Sequence, residues 1–334
     1  MSDAVVMTGA AMKGAFTAGA LSVLTDPRVM AQLRLDVRHV VGASSGAMNG
    51  AYYAASIRQG AEIGAGSRLA RVWTHDITAL RLFHPSLRGI LGGRGVFDMK
   101  AMLRLMRKRL VATGKPGSGE VTLKLALTNV EGRTFIVDGR PTTSFEEIAT
   151  FYGETMDSPE GLERVRTTAA ASASIPLAFV PVEVQLGSRT IQAVDGGTVD
   201  DTPLAHALTD TEVRRVFIID PYPRSSPPIT LRWTNYAGQI LHILVQQRLV
   251  HDLQSARRVN DALGRLQRLL PNGQQRARVL SAVGWAGRRE VEIVEIRPSE
   301  PLPGGDLTAA FSRSMRAQYV QIGIDTARRE LRRR

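Results

Sequence analysis

The amino-acid sequence predicts an α/β protein with three layers, in which a mainly parallel sheet lies between two layers of helices. Short apolar runs that suit buried strands alternate with longer segments of helical periodicity. The first two runs, 4–7 and 37–41, are each followed by a glycine-containing loop and then by a helical pattern. This is the order of a parallel βαβα unit, whose loops lie at the carboxyl edge of the sheet.

The predicted strands are short apolar runs bounded by glycine, proline or polar residues. Ala4-Val5-Val6-Met7 and the run 213–219 suit strands that are buried on both faces. Two further runs, separated by Val130-Glu131-Gly132, predict a strand pair joined at that point. The full set of predicted strands is 4–7, 37–41, 121–129, 133–138, 182–186, 190–194, 213–219 and 290–296.

The predicted helices repeat apolar residues every three or four positions. In the first helix, Phe16, Ala20 and Leu24 fall on one face. A later helix starts after Asp98, a good N-cap, and carries a methionine stripe that suits a protein core. The full set of predicted helices is 15–24, 47–55, 99–110, 164–173, 231–270 and 311–334.

At 334 residues the chain is long enough to bury a substantial core. We expect a catalytic core over residues 1–220 and a helical C-terminal cap over residues 221–334, packed on the same domain. A break rich in proline separates the two regions. The chain has no cysteine, so it contains no disulfide, and functions that depend on a cysteine thiolate are excluded. The sequence predicts no particular oligomeric state.

The net charge of +12 favours anionic partners, and arginine carries most of it. Anionic lipid head groups and acidic proteins are compatible with this charge, and so is a simple solvated surface. Nucleic acid is disfavoured, because few aromatic residues interleave with the basic ones and no nucleic-acid-binding motif occurs.

The stretch from Ile77 to Gly95 mixes large apolar residues with arginine. This composition suits a lid or a contact with an anionic membrane, and equally a segment that caps the core. No secretory signal pattern and no apolar stretch of membrane-spanning length occurs in the chain. We therefore expect a cytoplasmic or peripheral membrane protein, with signal-independent export left open. The residues of interest in the stretch are Leu80, Arg81, Leu82, Phe83, Leu87, Arg88, Ile90, Leu91 and Arg94.

A Gly-x-Ser-x-Gly turn, Gly42-Ala43-Ser44-Ser45-Gly46, joins the second predicted strand to the helix that follows. This is the context in which a serine becomes a nucleophile. Gly42 and Gly46 let the backbone turn sharply and leave the hydroxyl uncovered. The helix start adds unpaired N–H groups and the positive end of a dipole. The sequence thus predicts Ser44 as a nucleophile, against the alternative of a chance match in an ordinary turn.

Two other loops carry candidate site residues. Gly9-Ala10-Ala11-Met12-Lys13-Gly14 follows the first strand and matches neither a dinucleotide-binding loop nor a P-loop, which leaves a cradle for an anion or oxyanion. Val194-Asp195-Gly196-Gly197 places an aspartate at the end of a predicted strand, where it can act as a general base. Each loop by itself is equally explained as a turn that needs glycine for its geometry.

Taken together, these motifs resemble the patatin-like phospholipase family. That family has a glycine-rich loop ending in a basic residue and glycine, then a Gly-x-Ser-x-Gly turn, then Asp-Gly-Gly or Asp-Gly-Ala. All three occur here in that order, and Ala171-Ser172-Ala173-Ser174-Ile175-Pro176 resembles a fourth family segment. The resemblance covers about residues 4–220 and is weak beyond Pro221. It implies a patatin-like fold.

The resemblance implies that Ser44 is the nucleophile and Asp195 its base. The loop from Gly9 to Gly14 would form the oxyanion hole, with Lys13 at the family's basic position. The family has three consecutive glycines where this chain has Gly9-Ala10-Ala11. An alanine at a position that requires a positive φ costs about 1 kcal/mol, so the aim of the N–H donors is in question.

A carboxylate is a weak base for a serine hydroxyl, with an ordinary pKa of about 3.9. Partial burial raises this pKa, and an oxyanion hole formed by Ala10, Ala11 and Ser45 N–H groups supplies further stabilisation. A histidine base is the rival, and His206 is its best candidate because it follows the Asp195 loop closely. The spacing of His, Asp and Glu residues predicts no metal site, and no cofactor is expected.

The sequence therefore predicts a lipid acyl hydrolase of the phospholipase A or lysophospholipase type, acting on phospholipid or another acyl ester through an acyl-enzyme. An acyltransferase that uses the same acyl-enzyme is one alternative. The other is a catalytically weak protein that binds anionic lipid, which the replacements Ala10 and Ala11 make plausible.

Overall fold

The computed structural model describes residues 1–78, 84–93, 95–111, 116–209, 212–224, 233–304 and 312–332. Within these ranges, side chains are described for all residues except 88 and 233–246. Several residues of the apolar and basic stretch lie outside the described residues: Leu80, Arg81, Leu82, Phe83 and Arg94. So do two prolines of the break after residue 220, Pro227 and Pro228, and the last two residues of the predicted C-terminal helix, Arg333 and Arg334. The side chain of Arg88 is also outside them.

Each run that the sequence predicts as a strand overlaps a strand in the described ranges. They are β1 (Ser2–Met7), β2 (Val37–Gly42), β3 (His84–Pro85), β4 (Phe97–Asp98), β5 (Thr122–Val137), β6 (Arg140–Tyr152), β7 (Val182–Leu186), β8 (Arg189–Asp195), β9 (Val213–Ile219) and β10 (Glu292–Ile296).

The helices of the described ranges alternate with these strands, as in an α/β fold. They are α1 (Gly14–Leu24), α2 (Pro27–Leu33), α3 (Ser45–Arg58), α4 (Ala65–Arg71), α5 (Leu87–Leu91), α6 (Lys100–Arg109), α7 (Pro159–Ser172), α8 (Leu204–Leu208), α9 (Trp233–Leu269), α10 (Gly273–Ala282) and α11 (Arg313–Leu331). None of the described helices is long and apolar enough to cross a membrane.

The central sheet has the strand order β10-β9-β1-β2-β5-β8-β7, and β6 also pairs with β5. The pairs from β10 to β5 are parallel, whereas the pairs β5–β8, β7–β8 and β5–β6 are antiparallel. Strands β3 and β4 form a separate antiparallel pair. The predicted α/β class with a mostly parallel central sheet is confirmed.

Helices cover both faces of the sheet, because side chains alternate along each strand. Val5 and Met7 of β1 belong to the larger apolar core, together with residues of α1, α3, α7 and α11. Ala4 and Val6 point to the other face and belong to a second core with residues of α8 and α9. The three layers that the sequence predicts are therefore present.

One predicted turn is wrong. Residues 130–132 do not join two strands, because β5 continues through them from Thr122 to Val137 with a register shift between Thr128 and Arg133. The chain reverses instead at Asp138-Gly139, where φ is 50° and 74°. Positive φ at both central residues is the conformation of a tight hairpin turn, and Asp-Gly is a sequence that favours it.

The C-terminal third contributes to the same sheet and cores as the N-terminal part. Strand β10 pairs in parallel with β9, and α11 packs against α1. The division of the chain at residue 220 stays a prediction.

Candidate active site

Ser44 lies in a sharp turn between β2 and α3. Its φ of 52° and ψ of −124° are strained for a residue with a side chain. Gly42 and Gly46 permit the turn by close backbone packing, since a Cβ on Gly42 would lie 2.5 Å from the Gly46 carbonyl oxygen. A Cβ on Gly46 would overlap the Met7 carbonyl oxygen on the neighbouring strand β1. The turn therefore holds the Ser44 backbone in one strained position beside the sheet.

The hydroxyl of Ser44 donates a hydrogen bond of 2.7 Å to Oδ2 of Asp195. Asp195 ends β8, and its other oxygen, Oδ1, accepts the Gly197 N–H at 2.8 Å. Both side chains are buried. The two residues that the sequence predicts as a pair thus lie in direct contact, although 151 positions separate them.

Burial changes the acidity of this carboxyl. It raises the pKa of Asp195 to about 6, and the hydrogen bonds from Ser44 and Gly197 offset part of this effect. At neutral pH the group is ionised, yet it binds a proton more readily than an exposed aspartate. This combination suits a general base that must accept a proton from a hydroxyl.

Three serine and threonine residues to which the sequence assigns no role hold the pair in place, two through their hydroxyls and one through its backbone carbonyl. Ser172 accepts the Ser44 N–H at 2.9 Å and donates to the Ala126 carbonyl at 2.7 Å. The Ser174 carbonyl accepts the Asp195 N–H at 2.9 Å, and the Thr128 hydroxyl donates to the Asp195 carbonyl at 2.8 Å. The resemblance of residues 171–176 to a family segment is the signal in the sequence that points to this support.

The loop after β1 forms a short 3-10 turn over Ala11–Lys13, which leads into α1 at Gly14. The Ala10 N–H donates to the Ser45 hydroxyl at 3.0 Å, so this predicted oxyanion donor is engaged. The N–H groups of Ala11 and Met12 have no partner within the described part of the chain. Free N–H groups are expected at the start of such a turn.

The backbone strain that the sequence predicts for an alanine in this loop lies at Ala11. Its φ is 45°, in the left-handed region, whereas Ala10 has an extended φ of −162°. One of the two alanines therefore occupies a conformation that glycine adopts more easily. Lys13 is buried, with its Nζ 4.7 Å from the centre of the Tyr222 ring.

A second buried carboxyl, Asp201, lies beside the Ser44–Asp195 pair. A Cβ on Gly9 would lie 2.7 Å from the Ser44 Cβ and would overlap Asp201 Oδ1. A Cβ on Gly197 would also overlap Asp201 Oδ1 and would lie 3.0 Å from Asp195 Oδ1. Burial, together with the nearby Asp195 charge, raises the pKa of Asp201 well above its usual range. Asp201 therefore holds its proton more tightly than an exposed aspartate does.

His206 takes no part in this pair. Its Nε2 hydrogen-bonds Oε1 of Glu146 at 2.7 Å, and the Ser44 hydroxyl donates to Asp195 instead. Glu146, Asp200 and His206 form a group whose ligand atoms lie within 4.8 Å of one another, a set that can hold a metal ion. Arg248 of α9 supplies a cation there, 2.8 Å from Glu146 Oε2 and 3.3 Å from Asp200 Oδ2.

Arg248 also reaches the loop that follows Asp195. Its Nη1 donates to the Val199 carbonyl at 3.0 Å. Burial raises the pKa of Asp200 to about 7, and the Arg248 charge opposes this rise. One arginine from the C-terminal third thus contacts the segment between Asp195 and Asp201, which no sequence motif indicated.

A family model described as "Patatin-like phospholipase" matches residues 5–208. Comparison with curated protein sequences gives no significant match. Among solved structures, the crystal structure of VipD from Legionella pneumophila is similar, with a TM-score of 0.45 and 13% sequence identity. The alignment covers 99% of this chain and 67% of that one.

Proposed function

Because the chain belongs to the patatin-like phospholipase family, we propose that it is a serine-dependent lipid acyl hydrolase of the phospholipase A or lysophospholipase type. Its substrate is a phospholipid or another lipid acyl ester. The observation that carries this proposal is the 2.7 Å hydrogen bond from the Ser44 hydroxyl to Asp195, made from a strained strand-to-helix turn. A nucleophile and its base within hydrogen-bonding reach are the first requirement of acyl transfer through a serine.

In the first step, Ser44 Oγ attacks the carbonyl carbon of the ester while Asp195 Oδ2 takes the hydroxyl proton. The raised pKa of Asp195, about 6, narrows the difference in basicity between the carboxylate and the developing alkoxide. The Gly197 N–H keeps the carboxylate oriented through Oδ1, so that Oδ2 faces Ser44. A tetrahedral intermediate with a negatively charged oxygen results.

In this proposal, backbone N–H groups stabilise the negatively charged oxygen of the tetrahedral intermediate. The Ala11 and Met12 N–H groups are available in the described structure, and the Ser45 N–H opens helix α3 beside the nucleophile. The Ala10 N–H is given a supporting role, because its bond to the Ser45 hydroxyl ties this loop to the turn. Preorganised N–H donors typically contribute about 3–4 kcal/mol each to such a transition state.

The intermediate then collapses and the alcohol of the substrate leaves with the proton held by Asp195. The acyl group remains on Ser44 Oγ. Asp195 next takes a proton from a water molecule that attacks the acyl-enzyme, and the fatty acid leaves as Ser44 recovers its proton. If an alcohol or a lysolipid replaces water in this step, the same acyl-enzyme performs acyl transfer, and product analysis with added acceptor distinguishes the two.

The test is labelling with a fluorophosphonate probe, followed by intact-mass and peptide analysis. We expect one adduct on the peptide containing Ser44, none in Ser44→Ala, and labelling at least 100-fold slower in Asp195→Asn. The matched control is Ser56→Ala on the same helix α3, since the Ser56 side chain is buried and its hydroxyl donates to the Tyr52 carbonyl. Equal labelling of wild type and Ser44→Ala would contradict the proposal. A wild type that resists labelling but binds anionic vesicles would favour the lipid-binding alternative.

A further inference from the structure

Five large apolar side chains are exposed on two neighbouring segments. One segment runs from helix α5 to the residue before β4, and the other is the loop 173–181, which contacts the Asp195 N–H through the Ser174 carbonyl. We call these five side chains the apolar patch: Leu87, Ile90, Leu91, Val96 and Leu177. Leu91 is 87% exposed and Leu177 is 90% exposed. Isolated exposed leucines are ordinary, but a group on adjoining segments marks an interaction surface.

Backbone contacts join the two segments. The Val96 N–H donates to the Ala178 carbonyl at 3.0 Å, and the Val180 N–H donates to the Phe97 carbonyl at 2.9 Å. Gly89 of α5 faces Val180, because a Cβ there would lie 2.5 Å from Val180 Cγ2. Helix α5 and the loop 173–181 therefore form one surface.

The apolar patch is attached to the residues that hold Asp195. Leu177 lies three positions after Ser174, whose carbonyl accepts the Asp195 N–H. The Ser174 hydroxyl donates to the Val180 carbonyl at 3.0 Å, which closes the loop on itself. The same short loop thus contacts the candidate catalytic aspartate at one end and exposes an apolar side chain at the other.

Leu177 also has a strained backbone. Its φ is 69°, in the left-handed region that leucine rarely adopts. A strained residue whose side chain is almost fully exposed gains nothing from packing inside the protein. Backbone strain at a non-glycine residue is an indication of function, since the fold holds it at a cost of about 1–3 kcal/mol.

Basic residues adjoin the apolar patch. Helix α6 starts two residues after β4 and exposes Lys100, Arg104, Arg107 and Lys108. Lys100 pairs with Asp98 and Arg107 with Glu163, whereas Arg104 and Lys108 make no ion pair with any residue in the described ranges. Apolar side chains bordered by cations match the interface of an anionic lipid surface, which offers acyl chains and negative head groups.

We propose that the apolar patch inserts into an anionic lipid surface and so presents the lipid ester to Ser44. This inference rests on the proposed function for its substrate. Leu87, Ile90, Leu91 and Leu177 enter the acyl-chain boundary, and the cations of α6 contact the head groups. The partner is a lipid surface and not a second copy of the chain, because Arg104 and Lys108, which make no ion pair within the described ranges, would repel their counterparts across a self-interface.

The test compares Leu91→Ser/Leu177→Asn with Leu269→Ser, which replaces a leucine of similar exposure at the end of α9. Asn is chosen at 177 because it tolerates the left-handed conformation.

Binding is measured by flotation with vesicles of phosphatidylcholine and phosphatidylglycerol, and hydrolysis is measured on these vesicles and on a water-soluble monomeric ester. We expect the double variant to bind vesicles at least tenfold more weakly and to lose vesicle hydrolysis in proportion. Its activity on the monomeric ester should stay within twofold of wild type, and Leu269→Ser should match wild type throughout.

Unchanged vesicle binding by the double variant would overturn the inference, and so would a shift from dimer to monomer in the double variant. Ser44→Ala separates this inference from the proposed function. It should bind vesicles like wild type while hydrolysing neither substrate. If Ser44→Ala hydrolyses the monomeric ester, the proposed function fails, and the flotation result still decides whether the apolar patch contacts lipid.

Discussion

Ser44 and Asp195 show how two weak reagents become suited to acyl chemistry through position. The serine is strained in its turn and its N–H is held by Ser172, so the hydroxyl has one well-defined direction. The aspartate is buried and bonded through both oxygens. Because the surrounding residues already hold both side chains in position, little reorganisation is needed when the proton moves from Ser44 to Asp195.

The first residue-scale prediction concerns pH. The free enzyme needs Asp195 ionised, and burial raises its pKa to about 6, so activity should be present above this pH and fall as the pH drops through it. We expect kcat/KM on a monomeric ester to decrease towards tenfold per pH unit below about pH 6. An ordinary aspartate would place this decrease near pH 4.

Asp201→Asn is the control for that measurement. Burial and the Asp195 charge both favour the protonated, neutral form of Asp201, so its replacement by a neutral amide should leave the decrease in kcat/KM near pH 6 in place. The prediction fails if kcat/KM of the wild type decreases only near pH 4. It also fails if Asp201→Asn moves the pH of this decrease by one unit or more, because the carboxyls would then titrate in another order.

A second prediction concerns Ala11. Its φ of 45° carries about 1–2 kcal/mol of left-handed strain, which glycine removes. Glycine also makes the unfolded chain more flexible, at a cost of about 0.4–1 kcal/mol. We expect Ala11→Gly to raise the free energy of unfolding by about 0.5 kcal/mol and to retain full esterase activity.

The matched variant Ala10→Gly should have the opposite effect, because the φ of Ala10, −162°, lies outside the left-handed region. Glycine therefore removes no left-handed strain there and only makes the unfolded chain more flexible. Urea unfolding of the two variants beside wild type checks both signs. If both variants change stability in the same direction, the strain at Ala11 is not what distinguishes them.

At this scale the sequence predicts the residues of known motif type and misses those that act through packing. Ser44 and Asp195 occur in short patterns with a chemical reason, so their contact could be expected. Ser172 lies in a segment that resembles the family, but its bond to the Ser44 N–H depends on the fold. The position of Asp201 beside Gly9 depends on the fold in the same way. The engaged Ala10 N–H was also unpredictable, because it depends on where the Ser45 hydroxyl points.

At the scale of elements, the errors have physical causes that the sequence contains. Val130-Glu131-Gly132 contains a glycine between two strand-like runs, which favours a turn, but here Gly132 lies within the irregular part of one long strand. Asp138-Gly139 is the stronger turn signal, and β6 follows it directly. By contrast, β1 and β2 were predictable because their apolar runs are buried on the sheet and followed by loops with clear chemistry.

Helix α9 leads to an element-scale prediction, since its Arg248 contacts the loop after Asp195. Arg248→Gln removes the positive charge that faces Asp200 and Glu146. It also removes the hydrogen bond from the guanidinium to the Val199 carbonyl. We expect kcat on a monomeric ester to fall about tenfold with little change in KM, because a misplaced base slows the chemical step. Steady-state kinetics measures both quantities.

The control on the same helix is Arg257→Gln, which breaks an exposed pair with Glu295 and should leave kcat unchanged. A positioning role also predicts partial rescue. Asp200→Asn in the Arg248→Gln background removes the buried carboxylate that has lost its cation, and kcat should recover in part. Equal kcat losses in the single and double variants would mean that Arg248 acts otherwise.

At the scale of the whole molecule, the family match and the folded structure have different extents. The match ends at residue 208, yet β9, β10 and α11 lie beyond it and complete the sheet and its larger core. The sequence predicted these elements singly and left their contacts open, because helix-to-helix packing has no local signature. The pairing of β10 with β9 and the packing of α11 on α1 support one folding unit that extends past the matched residues.

The crossing of α1 and α11 tests this view. The two helices approach so closely that a Cβ on Gly323 would overlap the Phe16 carbonyl oxygen, and one on Gly19 would overlap the Val320 carbonyl oxygen. Gly323→Ala must push the helices apart, and overpacking of this kind costs about 1–3 kcal/mol. We expect it to lower the free energy of unfolding by about 2 kcal/mol, whereas Gln321→Ala, at an exposed position of α11, should change it by less than about 0.5 kcal/mol.

If the chain folds as one unit, circular dichroism and fluorophosphonate labelling of Ser44 will lose their signals at the same, lowered midpoint in Gly323→Ala. Labelling that survives while the helical signal falls would mean that the residues around Ser44 fold without α11.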